Sequence, residues 1–114
     1  MNIEEIREYC LSKKGAEESL PFSPSVLVFK VGNKMFALTD LANFEFVNLK
    51  CEPERAIDLR ETFEGIKPAY HMSKKHWNSV YAYADISDEL FMELIDHSYN
   101  LVVKSLTKKI RESL

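Results

Sequence analysis

The run Val26–Asp40 reads VLVFKV, then Gly32 and Asn33, then KMFALTD: two stretches rich in β-branched and aromatic residues parted by two turn formers. That pattern predicts a tight hairpin of type I′ or II′, whose central residues take positive φ at little cost when they are Gly or Asn. The hairpin extends outward on its C-terminal side. Leu41–Asn43 makes a short turn into FEFVNLK (44–50), so three successive strands form an antiparallel meander. A sheet of this kind needs a cover for its apolar face.

Further along, Pro53 suits a first helical turn, Ala56, Ile57, Leu59 and Phe63 supply apolar positions, and Gly65 lies just past the end. This predicts a helix from Pro53 to Glu64. The next stretch, Lys67–Ala84, reads as a short extended piece, a polar turn at Ser73–Lys75 and a strand through Trp77, Val80 and the YAYA run. Strand alternation puts Trp77 and Tyr81 on one face and Asn78, Val80 and Ala82 on the other. The expectation is that Trp77 turns inward and anchors the final helix. Ser87 caps that helix, with Asp88 and Glu89 in its first turn and Leu90, Phe91, Leu94, Ile95, Ser98, Val102 and Leu106 at helical spacing.

Before the hairpin, Asn2 and Glu5 have the spacing of a capping box, and Ile3, Ile6, Cys10 and Leu11 trace an apolar stripe up to Lys14, where Gly15 stops the helix. The connector GAEESLPFSPS, with Pro21 and Pro24, reads as a wrap-around loop. The resulting order, α-βββ-α-ββ-α, describes a two-layer α+β fold, an antiparallel sheet covered by helices, in a single domain spanning residues 1–114.

Composition narrows the function classes. With 46% hydrophobic and 29% charged residues the chain has globular values, and at 114 residues it can bury a core without metal or disulfide staples. No apolar run is long enough to cross a bilayer, and Met1 precedes a charged amphipathic stretch, so a cytoplasmic protein without membrane contact is expected. Cys10 and Cys51 form no CxxC and read as free thiols. The formal charge of -3 argues against coating nucleic acid by bulk charge, but leaves room for a local basic face.

One segment is such a face. Lys67–Ala84 holds the only Trp of the chain, His71, His76, Lys67, Lys74, Lys75 and three Tyr, without one carboxylate. Lysines there can meet phosphates, His76 and Asn78 can donate hydrogen bonds, and aromatics can stack. The basic tail Lys104–Arg111 joins it if the fold brings the two together, although bases at the end of a helix also complement its dipole. His71 and His76, five apart, suit neither one helix face nor one strand face, so no metal site is expected, and no cofactor. Cys51 lies just before a helix, where the dipole favours a thiolate, and an enzymatic reading would unite it with His76 and Tyr99. No GxSxG elbow, phosphate-cradling loop or HExxH is present, and a non-enzymatic protein is expected.

Four ordered segments, KMFAL at Lys34–Leu38, LKCEP at Leu49–Pro53, KKHWNSV at Lys74–Val80 and HSYNLVV at His97–Val103, make the chain resemble the MmcQ/YjbR family of small bacterial proteins over essentially its whole length. Glu52 stands where that family commonly has Asp. The resemblance implies a fold similar to the CyaY-like and secretion-chaperone-like architecture. It also implies DNA binding, through paired β-hairpins that look like a double wing. The wing candidates here are the Gly32–Asn33 hairpin with Lys30 and Lys34, and the turn bearing Lys74, Lys75 and His76, with Trp77 beside it. The leading expectation is therefore duplex DNA held chiefly by its phosphates; the alternative is a protein-interaction or chaperone-like adaptor using an exposed sheet face with Tyr81 or Tyr83.

Overall fold

Asn2 opens the chain with the capping box its spacing predicts: its side chain accepts from the Glu5 N–H, and the Glu5 carboxylate accepts from the Asn2 N–H. The computed structural model describes residues 1–114. Helix α1 (Ile3–Leu11) is followed by β1 (Glu17–Ser19), β2 (Val26–Val31), β3 (Lys34–Asp40), β4 (Phe46–Lys50), α2 (Pro53–Thr62), β5 (Ile66–Pro68), β6 (Trp77–Tyr81), α3 (Asp88–Ser105) and α4 (Lys108–Glu112). The six strands form one antiparallel sheet in the order β1-β2-β3-β4-β6-β5. The α+β architecture is thus the expected one, with more elements than the sequence suggested.

The differences have local causes. The connector after α1 is not all loop, because Glu17, Glu18 and Ser19 pair with Lys30, Phe29 and Val28 and add an edge strand. Helix α1 ends at Leu11 rather than Lys14, and Gly15 takes its positive φ of 74° in the turn that follows. The last strand stops at Tyr81, the first residue of the YAYA run. The final helix is two helices: α3 stops at Ser105, Leu106 adopts extended backbone, and the Thr107 side chain accepts from the Ile110 N–H to start α4. Lys108 therefore opens a helix instead of closing one, while dipole complementarity accounts for Lys104 at the end of α3 and for Lys109 and Arg111 in the last turn of α4.

The Gly32–Asn33 turn has φ of 57° and 65°, a type I′ hairpin. Two residues past it, the β2–β3 ladder slips: Phe29 faces Ala37 while Lys30 faces Met35, so Phe36 is an extra residue in β3. This bulge turns both Phe36 and Ala37 into the core. The core lies on one face of the sheet, where Leu27, Phe29, Val47, Leu49 and Val80 meet Phe91, Leu94 and Ile95 of α3, Ile6 and Cys10 of α1, and Ala56 and Leu59 of α2. No helix of the molecule is long and apolar enough to cross a membrane.

Candidate nucleic-acid interface

Sheet topology decides where the predicted basic tips lie. Strand β3 returns from the Gly32–Asn33 turn, β4 runs back toward it, and Lys50 at the end of β4 pairs with Trp77 at the start of β6. The Ser73–Lys75 turn that precedes Trp77 is therefore at the same end of the sheet as the hairpin. In the order β2-β3-β4-β6-β5 the two tips stand three strand spacings apart, roughly 14 Å at about 4.8 Å per spacing. The C-terminal basic segment joins the hairpin tip, since a Cβ on Gly32 would come within 2.6 Å of Leu106 and 3.0 Å of Ile110. Lys34 reaches the end of α3, donating to the Ser105 hydroxyl at 3.4 Å.

The individual side chains differ in how free they are. Lys34, Lys74 and Lys75 are exposed, whereas Lys30, His76 and Trp77 are half-buried. Lys30 sits directly across the ladder from Glu17, so part of its charge is offset. The Lys74 ammonium lies 5.1 Å from the ring centroid of Tyr70, an exposed aromatic of the same turn. Arg60 was not among the sequence candidates, yet it fixes this turn: one guanidinium nitrogen donates to the Lys74 carbonyl at 2.9 Å and to the Asn78 side-chain oxygen at 3.3 Å. Its place in the last turn of α2 carries no signal of a contact eighteen residues downstream. The turn also closes on itself, with the His76 and Trp77 N–H groups donating to the Ser73 carbonyl.

Trp77 does not anchor α3. Asn78 and Val80 take the inward positions of β6, lining the small space among Leu49, Leu59 and Leu94, so Trp77, Ser79 and Tyr81 face away from the helices. A polar Asn is tolerated inside because its amide donates to the Ala56 carbonyl and its oxygen accepts from Arg60.

Cys51 is buried, and burial pushes its thiol up to about 11, which outweighs the expected dipole effect and keeps it protonated near neutrality. The Cys51 N–H donates to the His76 carbonyl, while the His97 ring, not that of His76, reaches the same junction: His97 Nε2 accepts from the Glu52 N–H at 3.1 Å. Tyr99 is committed elsewhere, its hydroxyl donating to the Lys14 carbonyl. Glu52 caps α2, accepting from the N–H groups of Glu54 and Arg55, so Glu serves at this position.

Burial, with the nearby Arg55, holds His97 below the ordinary imidazole value. Since the folded state favours the neutral ring, His97 stabilises the fold fully above its unfolded pKa, and that contribution is lost as pH falls through the lowered folded value. Urea midpoints measured at neutral and mildly acidic pH should fall more steeply in the native chain than in His97→Gln, whose amide oxygen can still accept from Glu52. Equal losses would show that His97 carries no acid sensitivity.

The far end of the sheet differs in character. A shallow cleft of about 360 Å³ lies there, lined by Glu64, Gly65, Lys67, Tyr81, Ala84 and Asp85. The Asp85 carboxylate accepts from the Gly65 and Glu64 N–H groups at 2.8 and 2.9 Å, which keeps it below its usual pKa. Leu20, Phe22, Leu41 and Tyr83 are exposed in the loops of this end, with Phe44 edge-on to Tyr83.

A family model described as YjbR matches residues 11–101. Among curated relatives, the uncharacterised protein YbdF of Escherichia coli O157:H7 is 46% identical over 90 residues, which cover 78% of this chain and 74% of that protein. The uncharacterised protein YjbR of Escherichia coli K12 is 34% identical over 115 residues, covering 100% of this chain and 98% of its own. Two solved structures share the fold. The Deinococcus radiodurans protein DR2400, a DUF419 domain, superposes with a TM-score of 0.92 at 37% identity, over 98% of this chain and 86% of that one. A Pseudomonas syringae protein does so with a TM-score of 0.77 at 27% identity, over 90% and 99% of the two chains.

Proposed function

The chain belongs to the YjbR family, and from that premise we propose that it is a cytoplasmic, non-enzymatic DNA-binding protein that holds duplex phosphates between its two basic tips. The observation that carries this reading is the convergence of both tips on one end of the sheet. Lys34 of the hairpin and Lys74 and Lys75 of the turn are exposed there, and α4, with Lys108 and Lys109, is seated against the hairpin. A separation of roughly 14 Å is close to the major-groove width of about 12 Å, so the tips can reach phosphates on its two sides. Lys50, at the end of β4, lies between them.

Replacing Lys74 and Lys75 together by Ala removes two phosphate contacts. Duplex affinity should fall about equally across sequences, and the slope of log affinity against log salt should become shallower by about 2. Gel mobility at low and moderate salt reads both. Unchanged affinity and slope would exclude this turn as the site. The exposed apolar residues of the opposite end favour a second reading, docking of a protein partner, which becomes the leading one if no duplex shift is seen even at low salt.

A further inference from the structure

Building on the DNA reading, we propose that the helix-free face of β4, β5 and β6 is a stacking platform for the bases of single-stranded DNA, fed from the Ser73–Lys75 turn. Three registers define this face. Lys50 lies beside Trp77, Asn48 beside Ser79, and Phe46 beside Tyr81, with Lys67 flanking Ser79 from β5. Not one of these side chains is a carboxylate, in a protein whose formal charge is -3. The two ammonium groups and the aromatic rings match the two parts of a single strand, its phosphates and its unpaired bases, whereas a duplex keeps its base faces stacked.

The local packing suits such a ligand. Asn48 and Ser79 are short, hydrogen-bonded to each other at 2.5 Å, and buried although no helix covers them. The aromatics Phe46, Trp77 and Tyr81 flank this pair along β4 and β6 and are half-buried, so part of each ring remains accessible. Trp77 and Tyr81 are four residues apart on one strand, roughly 13 Å, which separates two splayed bases. Phe46 supports Tyr81 from the neighbouring strand, with ring centroids 5.0 Å apart at 45°. The Lys67 ammonium rests 5.4 Å from the Tyr81 centroid, poised to turn toward a phosphate when a base takes its place over the ring. Tyr81 and Lys67 also line the cleft that carries Glu64 and Asp85, and these carboxylates end the platform at Tyr81, so that it spans about two nucleotides.

The test compares a short oligothymidylate with an abasic strand of the same length and charge, following the fluorescence of Trp77, the only Trp of the chain. The thymidine strand should bind about tenfold tighter than the abasic one and quench Trp77, as base stacking requires. Tyr81→Leu, with its fold checked by circular dichroism, should lose most of that tenfold preference and leave duplex and abasic binding unchanged. Equal binding of the two strands without quenching, alongside intact duplex binding, would overturn the platform and leave the phosphate reading standing. Failure of duplex, abasic and thymidine strands alike at low salt would overturn both.

Discussion

Ser98→Ala should lower the unfolding free energy by about 3 kcal/mol, since it strips two backbone groups of their partner at a cost of about 1–3 kcal/mol each. The reason begins with the bulge. Phe36 is the extra residue of β3, and the β3–β4 ladder ends at Ala37 and Leu49, which leaves Lys50 without a partner on β3. Ser98 of α3, fully buried, serves both: its hydroxyl accepts from the Lys50 N–H at 2.8 Å and donates to the Phe36 carbonyl at 2.6 Å. Ala removes the clasp and offers nothing in return. Urea unfolding should show a lower midpoint with an unchanged slope, and the melting temperature should drop by roughly 10 °C. A loss below about 1 kcal/mol would mean that the bulge finds its hydrogen bonds elsewhere.

Gly32→Val should be nearly as damaging, by about 2–3 kcal/mol, through two separate effects. The position has φ of 57°, a conformation that β-branched residues resist. A Cβ there would also meet Leu106 at 2.6 Å and 2.8 Å and Ile110 at 3.0 Å, displacing the segment that joins α3 to α4. Asn33, with φ of 65°, is the control: Asn33→Gly should cost little, because glycine accepts that φ. The same contact explains why Gly precedes Asn in this turn. Limited trypsin digestion gives an independent readout, with faster cleavage at Lys108 and Lys109 in Gly32→Val than in the native chain. Identical digestion would show that α4 does not rest on the hairpin.

The meander was legible because turn chemistry is local: Gly32–Asn33 and the short link at Leu41–Asn43 leave the strands few alternatives. Strand β1 was not, because Glu17–Ser19 is polar and three residues long, and only pairing with Val28–Lys30 makes it a strand. The break at Leu106 hid for the opposite reason, since an apolar residue at helical spacing masks a change of backbone that the Thr107 cap settles. At β6, alternation correctly divided Trp77 and Tyr81 from Asn78 and Val80, but hydrophobicity favoured the wrong inward face. Ala56 and Arg60, which satisfy Asn78, come from another element. The basic character of each tip could be read from its lysines, whereas their meeting at one end depends on β6 lying between β4 and β5.

Both margins of the sheet are short. Strand β1 has three residues, two of them glutamates, and β5 has three and ends in Pro68, which has no N–H to donate. Such margins resist recruiting a strand from another chain, because few backbone groups are on offer and charge and proline interrupt them. Edge-to-edge polymerisation is thereby disfavoured even though the helices pack on only one face of the sheet, and a companion molecule finds more purchase across the strands than along their margins.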